Sequence, residues 1–137
     1  MSFSTKTLLD SDTLSFYFKK YPKVVAEAQN YLQQHQIFTF SAITRFELLR
    51  GMKVRNATAQ LKFFDLFCNQ NEIIKLNDEI IVRAADIYAD LYKNGQIIGD
   101  ADILIAATAL ENNLLIITNN ESHFNRIKGL QVLNWNK

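Results

Sequence analysis

Four short apolar runs constrain this chain more than any other feature: Thr7-Leu8-Leu9, Ile37-Phe38-Thr39-Phe40, Ile73-Ile74 and Leu114-Leu115-Ile116-Ile117. Each has the length of a buried strand, and the stretches between them carry apolar residues at helical spacing. Leu130 to Leu133 adds a last short strand. Strands that alternate with helices need crossover connections, which predicts an α/β sandwich with helices packed on a mainly parallel sheet.

The helices follow from their own punctuation. Ser11-Asp12-Thr13 supplies capping chemistry for a short helix carrying Leu14, Phe16 and Phe18. Pro22 suits the first turn of the next, whose apolar face is Val24, Val25, Ala28 and Leu32. Ser41 caps a third helix through Ile43, Phe46, Leu48 and Leu49, with Ile43 and Phe46 facing the core and Gly51 as the stop. Thr58 to Phe67 forms a fourth. Its Phe63, Phe64, Leu66 and Phe67 exceed one face of a short helix, so it is either a core helix or partly covered by a partner. Asp78 starts a long helix with Ile80, Ile81, Ala84, Ile87, Tyr88 and Leu91, ended by Asn94-Gly95. Gly99-Asp100 opens another, Ala101 to Leu110, closed by Asn112-Asn113. No linker, repeat or low-complexity tract interrupts the pattern, which predicts one domain over residues 1–137.

Composition removes several functional classes. With 48% hydrophobic and 21% charged residues the chain can build a core. Its single cysteine, Cys68, rules out an intrachain disulfide and a cysteine-rich zinc site, and is expected as a small buried hydrophobe. No basic segment followed by a long apolar stretch occurs at Met1 to Lys6, and no apolar run approaches the ~18 residues of a membrane span. A cytoplasmic protein is expected. The net charge of +1 is not that of a polycation. Nucleic acid would therefore be met by a local basic patch, or through metal ions that offset the chain's own carboxylates.

In parallel sheets ligands gather beyond the carboxyl ends of the strands, and acids stand at or near those ends. Asp10 directly follows an apolar strand, where a helix-capping role competes with a functional one. Asp12 lies beside the helix start and suits capping better. Glu47 can be a surface residue pairing with Arg50, although Ile43 and Phe46 beside it look core-facing. Asp100 and Asp102 share a first helical turn, where the helix dipole favours acids. Asp102, however, leads Ile103-Leu104-Ile105-Ala106-Ala107, apolar almost all round, so it points from a buried helix start into the protein or a cleft. Carboxylates gathered at one sheet edge repel one another unless a hard divalent cation such as Mg²⁺ or Mn²⁺ joins them. Such a site polarises phosphate and acidifies a bound water. His35 and His123 are too few and too far apart in sequence for a histidine zinc site, and no nucleophile elbow is present.

At these residues the chain resembles the PIN-domain ribonucleases, specifically the VapC-type toxins of toxin–antitoxin pairs. Leu8-Leu9-Asp10-Ser11-Asp12-Thr13-Leu14-Ser15 is similar to the opening strand and first catalytic Asp. Ser41-Ala42-Ile43-Thr44-Arg45-Phe46-Glu47-Leu48-Leu49-Arg50-Gly51 is similar to the helix carrying the catalytic Glu. Asp102-Ile103-Leu104-Ile105-Ala106-Ala107-Thr108-Ala109 matches the most recognisable motif, led by the third acid. Ile117-Thr118-Asn119-Asn120 through His123-Phe124, then Gly129-Leu130 and Asn134-Trp135, resembles the ending. The resemblance implies a PIN-like three-layer α/β/α sandwich with a short, mainly parallel central sheet. It implies a cytoplasmic endoribonuclease using Mg²⁺ or Mn²⁺ on structured RNA such as tRNA, a homodimer, and a VapB-type antitoxin that blocks the cleft. Asp10 and Asp102 would bind the metal. Glu47 and Asp100 would complete its shell or orient the attacking water, with Asp12 in support and Thr118 and Asn120 lining the cleft. Arg45, Arg50, Arg126 and Lys128 are candidate phosphate contacts. The chain departs from many relatives, which carry a fourth acid where Asn120 or His123 stands.

Two alternatives remain at this point. Asp10-Ser11-Asp12 with Gly99-Asp100 is similar to haloacid-dehalogenase-like phosphatases, which use an aspartate nucleophile, although Leu14 and the lack of a task for Glu47 fit that family poorly. The other is a PIN domain that binds RNA or protein without cleaving.

Overall fold

A computed structural model describes residues 5–137; residues 1–4, which belong to the stretch read above for a leader, lie outside it. In chain order the elements are β1 (Thr7–Leu9), α1 (Ser11–Phe18), α2 (Pro22–His35), β2 (Thr39–Ser41), α3 (Ala42–Val54) and α4 (Thr58–Gln70). They continue with β3 (Glu72–Ile74), α5 (Asp78–Lys93), α6 (Asp100–Glu111), β4 (Leu115–Ile117), α7 (Glu121–Phe124) and β5 (Val132–Leu133). β1 pairs in parallel with β4 and β4 with β5, while β2 pairs in parallel with β3. The strands form two parallel sheets, β1-β4-β5 and β2-β3, with β2 lying beside β1. The Ser11 hydroxyl, just after β1, lies 3.4 Å from Thr44 Oγ1, just after β2, which brings the carboxyl ends of the two strands to one edge.

The strand alternation makes the layers. Leu8 and its partner Ile116 face one side, packing with Ile80, Leu91, Ile105 and Ala106 of α5 and α6. Leu9 and its partner Ile117 face the other, packing with Leu14, Ala28, Phe40 and Phe64. A sheet buried on both faces explains why its strands are apolar runs rather than alternating ones. The second layer is rich in aromatic rings: Phe18 meets Phe67 edge-on at 4.9 Å, and Phe40 stacks on Phe67 at 5.9 Å. No helix among the described residues is long and apolar enough to cross a membrane.

Several expectations are corrected. α3 does not stop at Gly51 but runs to Val54, and the left-handed residue that ends it is Asn56 at φ 52°. Glycine stops a helix only where the backbone turns left-handed, and Gly51 lies within helical backbone. Phe46 does not face the core: it is 55% exposed, with the Arg50 guanidinium 5.1 Å above its ring. Helix α1 begins at Ser11, capped by Asp10 rather than by the three residues after it. The crowded α4 divides its apolar groups, burying Phe64, Phe67 and Cys68 and leaving Phe63 and Leu66 exposed.

Gln36 ends α2 at φ 71°, where a side chain meets its own backbone. Gln36→Gly is expected to stabilise the protein by about 0.5 kcal/mol. A higher urea midpoint checks this; a lower one contradicts it.

Candidate active site

The site forms where β1 and β4 end side by side. The Asp10 backbone N–H donates to the Ile117 carbonyl at 2.9 Å, fixing the end of β1 against β4. The Asp10 carboxylate accepts from the Ser11 N–H at 2.8 Å through Oδ1 and from the Thr118 hydroxyl at 2.7 Å through Oδ2. It is 5% exposed. Burial, then the neighbouring charge of Asp12, pushes its pKa up to about 7, against the pull of the Thr118 and Ser11 hydrogen bonds. Asp102 adds a smaller push in the same direction. No salt bridge reaches Asp10 among the described residues. Asp10 is thus both the helix cap and a buried charge without a counter-ion.

Asp12 has a different task. Its Oδ2 accepts from the Asn119 N–H at 3.1 Å, holding the turn after β4. Burial raises its pKa as well, and hydrogen bonds from Asn119 and Thr13 offset part of that. Glu47 reaches the same edge from α3. Its Oε1 accepts from the Ser11 hydroxyl at 2.5 Å, and its Oε2 lies 3.9 Å from Arg50 Nη2. Ser11 therefore joins two acids, donating its N–H to Asp10 and its hydroxyl to Glu47. On the opposite flank the Asn120 N–H donates to Thr118 Oγ1 at 2.9 Å, and the Asn120 amide lies 3.5 Å from Asp102 Oδ2. His123 Nδ1 lies 3.0 Å from the same oxygen. One hydrogen-bonded chain thus runs from Glu47 through Ser11, Asp10, Thr118 and Asn120 to Asp102 and His123.

The structure leaves some expected residues out of this chain. Asp100 is exposed and makes no side-chain hydrogen bond among the described residues. Residues two apart on a helix point to different sides, so Asp102 turns inward and Asp100 outward. Arg45 lies against Cys68, away from the cleft, and Arg126 reaches the carbonyls of Gln96 and Ile97 at 3.4 Å. Lys128 lines a groove of about 590 Å³ between α5 and α6 that also contains Glu111, at the far end of α6 from Asp102. Of the four basic candidates only Arg50 stands beside a site acid.

Other residues join that the sequence did not single out. A groove of about 530 Å³ opens beside Glu47, with Phe18, Met52 and Phe63 on its walls and Lys19, Lys20 and Arg55 on its rim. Lys20 holds a left-handed backbone at φ 63° to end α1. The adjacent Lys19-Lys20 pair is visible in the sequence, but its nearness to Glu47 arises only from packing α1 on α3. Ser11 carries a capping signal and His123 stands in the family-like ending, but their contacts with Glu47 and Asp102 arise only from the fold.

Among the described residues no three Asp, Glu, His or Cys side chains form a ready-made metal cage. A hard cation such as Mg²⁺ can be held by one or two carboxylates with several waters. The buried, uncompensated carboxylate of Asp10, with Asp12 and Asp102 adding like charge, fits such an ion.

Comparison with known proteins shows the family. The model of the family described as "PIN domain" matches residues 7–130. Ribonuclease VapC1 of Methanocaldococcus jannaschii is 35% identical over 131 residues, which cover 93% of this chain and 87% of that protein. A tRNA(fMet)-specific endonuclease VapC of Salmonella typhimurium is 28% identical, over 95% of this chain and 98% of that one. Among solved structures, VapBC-1 from nontypeable Haemophilus influenzae aligns with a TM-score of 0.85 at 29% identity, over 97% of this chain and 100% of that one.

Proposed function

The chain belongs to the PIN-domain family, among its VapC ribonucleases, and from that premise we propose that it is a metal-dependent endoribonuclease that hydrolyses phosphodiester bonds in RNA, with tRNA as the substrate class. The observation that carries this reading is Asp10, a buried carboxylate without a counter-ion among the described residues, linked through Ser11 to Glu47 and through Thr118 and Asn120 to Asp102.

Asp10 and Asp102 would hold Mg²⁺ or Mn²⁺, which when bound would offset their charge, polarise a phosphoryl oxygen and acidify water. Thr118 fixes the Asp10 rotamer through Oδ2, and the Asn120 amide orients Asp102. Glu47 is anchored through Oε1 by Ser11, which leaves Oε2 to orient the attacking water and accept its proton. Asp100, at the exposed rim, has only outer water to arrange. An aspartate-nucleophile phosphatase is set aside: it leaves Glu47 without a role, and the family match lies elsewhere.

The groove beside Glu47 carries the RNA backbone, with Lys19, Lys20 and Arg55 as phosphate contacts in place of Arg45, Arg126 and Lys128. Replacing all three by Ala is expected to weaken tRNA binding and to lower the log–log salt slope by about 2, at ~0.7 per single-stranded phosphate contact. Fluorescence anisotropy across a salt series measures it; an unchanged slope contradicts the assignment. The VapBC complexes among the structural neighbours support a VapB-type antitoxin as the protein partner, and the exposed Phe46, Phe63 and Leu66 offer it apolar contacts.

The experiment that tests the chemistry is end-group analysis of tRNA fragments. Water as the nucleophile leaves a linear monophosphate end. A 2′,3′-cyclic phosphate would show that the RNA's own 2′-hydroxyl attacks, and would overturn the mechanism.

A further inference from the structure

We infer that the aromatic pocket between α1, α2 and α4 takes one unstacked base of the RNA strand, with Lys20 on the adjoining phosphate. The inference deepens the nuclease reading above and rests on it, because it concerns how the same strand is held beside the cleft.

The pocket has a volume of about 480 Å³ and is lined by Tyr17, Phe18, Lys20, Pro22, Val25 and Phe63. Phe18, Lys20 and Phe63 also line the groove that opens beside Glu47, so the two hollows adjoin. Tyr17 stands six residues along α1 from Ser11, about 9 Å of helix axis. A strand that meets the acids at the end of β1 and continues along the groove therefore passes the pocket close to the cut.

The lining suits a base better than an aliphatic group. The Phe63 ring is 52% exposed and meets Phe18 edge-on at 5.3 Å, and Phe18 is in turn met edge-on by Phe67 at 4.9 Å. Tyr17 meets the buried Phe38 edge-on at 5.2 Å. These rings are fixed before anything binds, so stacking on them costs little side-chain freedom. Every base has a π-face that can stack on an aromatic side chain. No carboxylate lines the pocket among the described residues, and Lys20 takes part in none of their salt bridges. Aromatic walls with one free cation complement a flat ring joined to a phosphate; a wholly apolar protein segment would leave the lysine without a counter-charge. Unstacked bases are also the feature through which proteins read RNA sequence. The pocket is thus a specificity element for a base flanking the cut.

The test is fluorescence anisotropy with the metal-stripped full chain and two probes, a labelled single-stranded RNA of mixed sequence and an abasic ribose–phosphate chain of the same length. The wild type is expected to bind the base-bearing strand roughly tenfold more tightly. Phe63→Leu, apolar but not aromatic, is expected to lose most of that preference and to keep the wild-type salt slope, since it removes no cation and a misfolded chain would not keep it. Phe63→Tyr is expected to retain the preference. Equal binding of the two probes by the wild type, or a preference that Phe63→Leu retains, would overturn the inference and leave Phe63 as an apolar contact for a protein partner. Cleavage of tRNA on restoring Mn²⁺ would in that case leave the nuclease reading standing. Absence of both RNA binding and cleavage would overturn both.

Discussion

Asp10→Asn is expected to lower RNA cleavage by at least about 10²-fold while leaving the protein more stable than the wild type above pH 7 in the absence of metal. The two effects have one cause. The Asp10 carboxyl is buried and its pKa is pushed up to about 7 from the ordinary 3.8. Below pH 3.8 it is protonated in the folded and the unfolded chain alike, and its burial carries no ionisation cost. As pH rises from 3.8 to 7, the unfolded chain releases the proton and the folded chain keeps it, so stability falls. Above pH 7 the cost is fully present, on the order of 4 kcal/mol. Asparagine keeps the shape and still accepts from the Ser11 N–H, but has no charge to bury. Thermal melts from pH 4 to 8 should show the wild type losing stability with pH and Asp10→Asn losing much less. A variant that melted lower than the wild type at pH 8 would show Asp10 to be a structural cap and nothing more.

The second large effect is the converse. Saturating Mn²⁺ or Mg²⁺ is expected to raise the wild-type melting midpoint by several degrees at pH 8, since a ligand at 100 times its Kd contributes about 2.7 kcal/mol. At pH 5 the gain should be small. Asp10 is then protonated in the fold, and the cation has to displace that proton. Asp10→Asn and Asp102→Asn should show little gain at either pH. Calorimetry with and without EDTA decides it. An equal gain at both pH values, or one retained by Asp10→Asn, would place the cation elsewhere.

Much of this arrangement was legible in the residues. The apolar runs locate β1 and β4, and the rule that ligands gather at the carboxyl ends of parallel strands directs attention to Asp10, Asp12, Glu47 and Asn120. Asp102 stood out because it leads a helix buried nearly all round. Asp100 was grouped with it because the two are neighbours in sequence, whereas helical geometry sends them to different sides. Phe46 departs for a related reason: a large apolar residue suggests the core, although α3 turns it outward beneath Arg50. Gly51 reads as a stop, yet glycine ends a helix only where the backbone turns left-handed, and Asn56 does that here. The groove with Lys19, Lys20 and Arg55 lay beyond a linear reading, since it exists only once α1, α3 and α4 pack together. The same holds for His123, whose importance comes from a contact with Asp102 across 21 positions of sequence.

The most direct measurement is cleavage of end-labelled total tRNA by the metal-stripped protein as Mn²⁺ is restored. Cutting should appear with the added ion, stop with EDTA, and be absent from Asp10→Asn at every Mn²⁺ concentration. Cutting that persisted in EDTA, or that Asp10→Asn carried out at the wild-type rate, would contradict a metal-dependent nuclease at this site.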